Sequence, residues 1–400
     1  MRANFHLKTL TVAVAALSIA SVASAAGLDR SGQDITAFLQ DGTYAEAVYT
    51  YIEGDVSGKD LSGNKIGDIA ESYDFFRYGV KADINDTFSI GILYDEPFGA
   101  AADYSGNNSF VDQNPTSDKN GEGTNVEVRT ESITGIIGAK LGESKNFQVY
   151  GGPVAQRVQA DVKLRGTAYE LANGYTTHIS SDQDYGWLAG VAYSKPEIAL
   201  KAALTYRSEI DHTTNSAESY PLAIVAGKPT SRSNTIDITT PESLNFDFQT
   251  GINPTTLATA KVRWVPWSDF AIVPSLYNEV SAVNPAYGPD GLSLVSYDED
   301  QWQVELGLAK RLTPVLAVTG TVGWDSGAGN PVTSLGPIEG YYSAGLGAKY
   351  NVTENWAVSA GGKYLWFGDA EGQIPNKNTV SNFEDNDGFA LAMKLSYQAN

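Results

Sequence analysis

The sequence contains no cysteine, and positive charge is scarce in it. An exported domain of this size could use disulfides, so their absence favours stability from extensive strand pairing. Aspartate and glutamate total 47 residues against 27 lysines and arginines, which gives a formal net charge of −20. Nucleic-acid phosphates need basic partners, so the composition argues against nucleic-acid binding and places the acidic residues in solvated loops.

Catalytic and metal-binding motifs are also lacking. Beyond the first residues the chain has two histidines, His178 and His212, both in predicted loops, and no G-x-S-x-G elbow supplies a nucleophile. Asp385–Gly388 resembles the opening of a calcium loop, but no later glutamate completes the spacing. We therefore expect no enzyme activity, no cofactor and no metal. A barrel hydrolase that uses one loop histidine is the alternative.

Long apolar runs are missing beyond the N-terminus. Arg2 and Lys8 supply positive charge before an apolar stretch over residues 9–20, and Ala23-Ser24-Ala25 forms an A-x-A cleavage site. This arrangement predicts a secretory signal peptide over residues 1–25, with a retained amphipathic anchor as the alternative. No later segment has the ~20 apolar residues of a membrane helix, so the exported chain is either soluble or a closed membrane barrel.

What the sequence does contain is strict alternation of apolar and polar residues. In residues 341–350, Tyr342, Leu346 and Tyr350 fall on one face while Lys349 falls on the other. Strands with one apolar and one polar face have this period of two. The same alternation recurs in residues 76–84, 198–209, 302–308, 356–366 and 389–397.

Short and long connections alternate along the chain, which decides the predicted topology. Outer-membrane barrels have tight turns at one end and longer loops at the other, whereas a soluble sandwich has no reason to sort them. The pattern predicts an all-β transmembrane barrel of about 14 antiparallel strands over residues 44–400. The short turns are at 85–86, 142–144, 195–196, 253–254, 313–314 and 351–354, and the long segments are 58–70, 97–122, 166–182, 212–230, 280–298, 326–337 and 368–386.

Residues 26–43 precede the first predicted strand and do not fit one. They mix glycine, charge and a small apolar group, Ile35, Phe38 and Leu39. A barrel of this size has a lumen too wide for its wall side chains to fill. The segment is therefore predicted to plug the lumen, and a disordered periplasmic tail is the alternative.

Taken together, these features resemble the FadL family of outer-membrane transporters for long-chain fatty acids and related hydrophobic compounds. The resemblance rests on an ordered set of segments and covers nearly the whole chain after residue 25. The set comprises Ala26-Gly27-Leu28 with the following plug, DYGWLAGVAY (184–193), ALTYRSEI (203–210), PESLNFDFQTGINP (241–254), WVPWSDF (264–270) and the C-terminal strands.

The resemblance implies a monomeric barrel in the bacterial outer membrane, surrounded by its lipid and lipopolysaccharide. In that family an N-terminal hatch blocks the lumen, and ligand leaves sideways through a gap at a kink in the third strand. The corresponding stretch here is residues 91–104. Proline lacks a ladder donor and glycine weakens a strand, so Pro97, Phe98 and Gly99 are expected to break the pairing there. Alternatively, Pro97 and Gly99 merely end the strand.

Nine charged residues on the polar faces are expected to point into the lumen, where most should form ion pairs that fasten plug and wall. A fatty acid carboxylate would need one or two of these cations, and Arg77, Arg207 and Lys363 are the candidates. Apolar contacts would come from Ile35, Phe38, Leu39 and Phe98, and the loop residues Tyr104 and Phe110 would collect ligand. The nine are Arg77, Lys81, Lys201, Arg207, Glu209, Glu305, Lys349, Lys363 and Lys394.

Function is thus expected to be passive uptake of a hydrophobic small molecule, most simply a long-chain fatty acid. Alkanes and aromatic hydrocarbons remain open as ligands. Two rivals share the barrel. A porin for polar solutes predicts an open, charged lumen, and a surface adhesin or structural barrel predicts that the loops do the work.

Overall fold

Fourteen antiparallel strands close into a barrel in the computed structural model, which describes residues 27–399. The predicted signal peptide therefore lies outside the described residues. Three strands are each interrupted once and continue after a break of two or three residues. The strands are β1 (Thr43–Asp55), β2 (Tyr73–Asp83), β3 (Phe88–Asp95 and Gly99–Asp103), β4 (Asn125–Leu141), β5 (Phe147–Lys163), β6 (Thr176–Lys195), β7 (Leu200–Arg207 and Ile210–Ser219), β8 (Ser231–Thr240 and Ser243–Asn253), β9 (Thr256–Val265), β10 (Gln301–Arg311), β11 (Leu316–Asp325), β12 (Tyr341–Asn351), β13 (Trp356–Phe367) and β14 (Asp387–Ala399).

The first and last strands complete the ring. β1 pairs with β14 along its whole length of 13 residues, from Thr43 opposite Ala399 to Asp55 opposite Asp387, and it pairs with β2 on its other side. Each remaining strand pairs antiparallel with its sequence neighbours. The wall thus has no free edge strand, and the predicted barrel is confirmed.

Connections sort by length onto the two ends of the barrel, as predicted. Each predicted short turn joins two adjacent strands directly, for example Ile84–Thr87 between β2 and β3. Three of the predicted loops were drawn too long, because residues 99–103, 176–182 and 212–219 continue the ladder as strands. Residues 176–182 and 212–219 are rich in polar residues, as loops are, and residues 99–103 follow the strand-breaking Pro97, so none of the three stretches had the apolar alternation of a strand.

Side-chain exposure alternates along the strands and separates an outer apolar face from an inner polar one. Leu346 is 75% exposed, whereas Lys349 of the same strand is 4% exposed. Eight of the nine charged residues expected to face inward are buried or half-buried. Glu209 is the exception: it is exposed, because it lies in the interruption of β7 where the alternation is reset.

The long loops pack into a cap over one end of the barrel. Five short strands form a small sheet there, and one short helix, α1 (Ser275–Ser281), lies in the loop between β9 and β10. Among the helices of residues 27–399, none is long and apolar enough to cross a membrane. The sheet strands are Gly58–Asp60, Lys65–Ile66, Val332–Thr333, Ala370–Gln373 and Thr379–Phe383, a second pair is Ala271–Ile272 with Val295–Ser296, and 3-10 turns span Thr167–Ala172, Pro196–Ile198, Pro221–Ala226, Trp267–Asp269 and Pro285–Tyr287.

Candidate functional site

Residues 27–42, here called the lumen segment, lie inside the ring of strands. Ile35 and Phe38 are fully buried, Leu39 is 5% exposed, and all three pack on inward-facing wall residues of β3 to β7. Two wall glycines leave room for Phe38, since a Cβ on Gly91 or Gly138 would lie 2.7 Å or 2.9 Å from its ring. The lumen segment is therefore packed against the wall as a core element would be.

Charged groups fasten the same segment to the opposite wall. Asp29 is fully buried and accepts two hydrogen bonds from Arg263 on β9, at 2.8 Å from Nε and 2.9 Å from Nη2. Asp34 lies 2.8 Å from Lys261 Nζ and 3.8 Å from Arg77 Nη1. Burial alone would raise the pKa of Asp34, but Lys261 and Arg77 outweigh it and hold that pKa well below its usual range.

Further hydrogen bonds attach the segment at several heights. Asn245 on β8 donates to the Gly32 carbonyl at 2.8 Å, and Ser31 donates to Asp95 on β3 at 2.5 Å. Lys201 on β7 donates to the Leu39 carbonyl. Bonds to three different strands fix the lumen segment in one position.

The wall is interrupted at Glu96–Phe98, between the two halves of β3. On the β4 side the Thr130 hydroxyl replaces the ladder, accepting from the Phe98 N–H at 2.8 Å and donating to the Phe98 carbonyl at 2.7 Å. On the β2 side, pairing stops at Tyr78 opposite Tyr94, so residues 73–77 have no partner on β3. The predicted break at Pro97 therefore lies beside a gap in the backbone ladder.

The beginning of the lumen segment covers this gap from inside. Arg30 N–H donates to the Pro97 carbonyl at 2.8 Å, and Gly99 N–H donates to the Leu28 carbonyl at 2.7 Å. The Arg30 guanidinium lies 4.0 Å from the ring centre of Tyr73 on β2. Three residues of the lumen segment thus act as a short additional strand at the break.

An apolar chamber lies above the break, under the loops. Phe98 is 2% exposed and its ring meets Trp267 edge-on, with 5.4 Å between the ring centres. The space beside them is lined by Leu28 and by apolar residues of β4, β5 and β8. Such a lining suits an apolar ligand.

Tyr104 and Phe110 are fully buried rather than displayed on the loop surface. Their rings stack with 4.5 Å between centres, and the Tyr104 hydroxyl donates to the Ser334 carbonyl at 2.5 Å. They belong to the core of the loop cap. Their part in collecting ligand stays a prediction, and it would require the loops to open.

The three candidate cations differ in their partners. Arg77 lies 3.8 Å from both Asp34 and Glu46, and Lys363 lies 2.5 Å from Glu305. Arg207 is 6% exposed and donates to Thr134 at 3.2 Å, but it forms no ion pair with the residues that the structure describes, and its Nε has no hydrogen-bond partner among them. Nη2 of Arg77 also lacks a hydrogen-bond partner among the described residues, so the property that distinguishes Arg207 from the other two candidates is the absence of a carboxylate partner among those residues.

Arg207 also faces the break. It lines a small cavity of about 10 Å³ together with Leu93, Tyr94 and Pro97. A larger cavity of about 80 Å³, lined by Lys261, Glu305 and Lys363 among others, lies between the lumen segment and β8 to β12. The structure thus brings Arg77, Arg207 and Pro97 together, and it places Lys363 on the other side of the lumen segment.

A profile of the family described as outer membrane protein transport protein (OMPP1/FadL/TodX) matches residues 41–399. The chain belongs to this family. Members are outer-membrane transporters for hydrophobic compounds, and the protein is accordingly a barrel of the bacterial outer membrane. Its short turns face the periplasm and its loops face outward. A comparison with curated protein sequences gives no match.

Solved structures of OMPP1/FadL/TodX proteins share the fold. A FadL homologue of Pseudomonas aeruginosa is 14% identical, with 94% of this chain and 96% of that chain covered and a TM-score of 0.70. The toluene transporter TodX of P. putida is 12% identical, with 91% of this chain and 92% of that chain covered and a TM-score of 0.59. The toluene transporter TbuX of Ralstonia pickettii is 13% identical, with 96% of this chain and 98% of that chain covered and a TM-score of 0.59. At these identities the likeness concerns the fold.

Two features of the wall were not predicted from the sequence. His178 and His212 lie in strands β6 and β7 rather than in loops. A second interruption occurs where Ser208-Glu209 of β7 faces Pro241-Glu242 of β8. The signal for the latter was present in Pro241, which cannot donate to a ladder.

Proposed function

We propose that this protein admits long-chain fatty acids passively across the outer membrane and releases them sideways beside Pro97. The observation that carries the proposal is the interruption of β3. There the wall lacks a backbone ladder toward β2, and within residues 27–399 it is Leu28–Arg30 that cover the gap. An apolar molecule leaving at this height would enter lipid without crossing the periplasmic end of the lumen.

Residues 26–43 act in this proposal as a hatch, in a mature chain that follows a signal peptide over 1–25 and continues as the barrel over 44–400. Asp34 holds the middle of the hatch through charged bonds to Lys261 and Arg77, whereas Leu28–Arg30 are held at the break by backbone bonds and by the Asp29–Arg263 pair. A shift of these three residues, which must break the Asp29–Arg263 pair, would therefore open the gap while the Asp34 anchor stays in place.

A fatty acid suits the groups that meet at the break. The apolar chamber at Phe98 has a volume of about 10 Å³ in the closed structure, so it would have to widen to take the alkyl chain, and the carboxylate would bind Arg207, whose Nε lacks a partner among the described residues. Charge-assisted hydrogen bonds to arginine are the strong ones, so this single contact would favour a carboxylate over a neutral hydrocarbon. Arg77 already has two carboxylates and Lys363 has one.

Transport, and not catalysis, is the activity we assign, and the barrel is proposed to work as a monomer. Fourteen strands of one chain complete the wall, so a second copy is not needed to close it. Lipid and lipopolysaccharide of the outer membrane would surround the apolar outer face.

Rebuilding the break as regular strand tests the lateral exit. In Pro97→Thr, residue 97 regains a ladder donor and strand propensity, and we expect uptake of a labelled long-chain fatty acid by cells to fall. Pro314→Thr, in a periplasmic turn, is the matched control and should leave uptake unchanged. Normal uptake by the rebuilt variant would contradict the lateral exit.

Mass spectrometry of lipophilic molecules retained by the purified protein tests the ligand class. We expect fatty acids in the wild-type protein and their loss in Arg207→Gln, with Arg207→Lys partly retaining them because it keeps the charge. Retention of neutral hydrocarbons in both proteins would exclude the carboxylate contact. Large ion conductance in planar bilayers would instead favour the porin for polar solutes.

A further inference from the structure

A third interruption of the wall lies between β6 and β7. The two strands pair below it, from Lys195 opposite Leu200 to Leu188 opposite Arg207, and above it, from Ile179 opposite Ser216 onward. Above the lower block one further backbone bond runs from the Ser208 N–H to the Trp187 carbonyl at 2.9 Å, and residues 180–186 then face residues 209–215 without ladder pairs. Backbone groups without ladder partners cost free energy, so other contacts must hold the strands together here.

Three metal-binding side chains meet at this interruption. Oxygen atoms of Asp182 and Asp184 on β6 and a ring nitrogen of His212 on β7 all lie within 4.8 Å of one another, and no other group of three such residues occurs within residues 27–399. Both aspartates alternate with the exposed residues Gln183 and Tyr185, so they point inward. Among the described residues, neither aspartate forms an ion pair with lysine or arginine.

The hydrogen bonds of Gln156 fix the tautomer of His212. Gln156 donates from its amide nitrogen to Ser132 and accepts at its amide oxygen from Thr240, at 2.6 Å. The same oxygen lies 3.2 Å from His212 Nε2, which must therefore be the protonated nitrogen. The lone pair is then on Nδ1.

His212 Nδ1 is buried and has no hydrogen-bond partner among residues 27–399, and His212 as a whole is fully buried. A buried acceptor without a partner costs free energy unless something occupies it. A histidine that donates from one ring nitrogen and offers the other is the usual arrangement of a metal ligand. This observation is independent of the two carboxylates and points to the same place.

We propose that Asp182, Asp184 and His212 bind one divalent transition-metal ion, with Zn²⁺ as the ion that fits best. One imidazole nitrogen and two carboxylate oxygens are a mixed donor set, which zinc accepts and which calcium and magnesium, with their preference for oxygen, do not favour. The ion would neutralise two inward carboxylates. It would also join β6 to β7 at the height where the backbone does not.

Calorimetric titration of the full-length mature protein in detergent, stripped with a chelator beforehand, tests the site with Zn²⁺ alone. We expect one ion per chain in the wild-type protein. His212→Gln and Asp184→Asn each remove a ligand and should weaken binding by at least about tenfold. Gln156→Leu removes the bond that orients the imidazole and should weaken binding by roughly 10- to 100-fold.

His178→Gln is the matched control. His178 is the other histidine of the mature chain, and it lies exposed beside Asp161 with 2.7 Å between Nδ1 and the carboxylate. Its substitution should leave zinc binding unchanged. The assembly of each variant is checked by gel electrophoresis of unheated samples, in which a folded barrel keeps the mobility of the wild-type protein. Asp184→Asn changes little volume and keeps the test decisive if His212→Gln does not assemble.

Two results would overturn the proposal. One is the absence of zinc binding to the wild-type protein at micromolar concentrations. The other is loss of binding in His178→Gln together with normal binding in Asp184→Asn, which would place the ion at the surface pair instead. Tighter binding of Ca²⁺ than of Zn²⁺ would likewise contradict the assigned metal.

Discussion

The guanidinium of Arg30 occupies the space that a side chain on Gly99 would need, since a Cβ there would lie 2.4 Å from Arg30 Cζ. The same guanidinium contacts the ring of Tyr73, 4.0 Å from its centre. Gly99 belongs to β3 and Tyr73 to β2, so one side chain spans the two edges of the gap in the wall.

Arg30→Ala should accelerate fatty acid uptake. A partly desolvated cation–π contact contributes about 1–2 kcal/mol, so its loss would raise the opening rate by roughly 5- to 30-fold. Initial uptake rates in cells with matched barrel levels measure the effect. The uptake rate of Arg30→Lys, which keeps the charge, should lie between the rates of the wild type and of Arg30→Ala. Slower uptake by Arg30→Ala would mean that Arg30 binds ligand instead of closing the gap.

A disulfide between the lumen segment and the break should stop release. Asp29 and Phe98 form an antiparallel bridge, a pairing whose Cα separation suits a disulfide. The native chain has no cysteine, so Asp29→Cys with Phe98→Cys introduces a unique pair. We expect uptake to be blocked in the oxidised protein and to recover on reduction. Equal uptake in both redox states would show that residues 28–30 need not move.

Removing one partner of the buried Asp29–Arg263 pair should loosen the lumen segment. Arg263 is 4% exposed, and leaving it unpaired costs about 3–5 kcal/mol. Asp29→Ala should therefore raise the frequency of ion-conducting openings in planar bilayers. Asp29→Leu with Arg263→Leu removes both charges and should show less frequent ion-conducting openings than Asp29→Ala. Equal conductance in wild type and Asp29→Ala would show that the pair does not seat the segment.

The loop cap should loosen as the pH rises past neutrality. Burial, with repulsion from Glu299 and Asp325, raises the pKa of Glu339 to about 7 from an ordinary value of 4.5. Neutral Glu339 thus stabilises the packed cap fully below about pH 4.5, and this contribution is lost as the pH rises through 7.

Hydrogen exchange of residues 326–340 at pH 5.5 and 8.5, normalised to an unfolded peptide, measures this change. We expect less protection at pH 8.5 in the wild-type protein and no such difference in Glu339→Gln, which stays neutral. A pH dependence that persists in Glu339→Gln would assign the effect to another group.

Much of the wall could be predicted because lipid imposes a strict period of two. Every outward residue must be apolar and every backbone group must be paired, so the alternation in residues 341–350 and the order of short and long connections determine the architecture. The break at Pro97 was predictable for a similarly local reason, namely a missing donor beside a glycine.

The site was harder to predict from the sequence, because its contacts join residues that are far apart in the chain. Neither the pairing of Asp29 with Arg263 nor the approach of Arg30 to Gly99 leaves a periodic signal. Tyr104 and Phe110 were expected at a collecting surface, yet both are buried, since a long loop can build a core of its own. Asp182 was assigned to a loop because polar strand extensions and loops have similar compositions.

The seam between β1 and β14 has a consequence for biogenesis. Residues 43–55 are synthesised early but acquire their second neighbour only when residues 387–399 exist. Until then, two edges with unmet N–H and C=O groups cannot enter hydrocarbon, where each orphan costs several kcal/mol. Insertion must accordingly follow the end of translation. A nonsense mutation near the carboxyl terminus would therefore produce a polypeptide that does not insert into the bilayer.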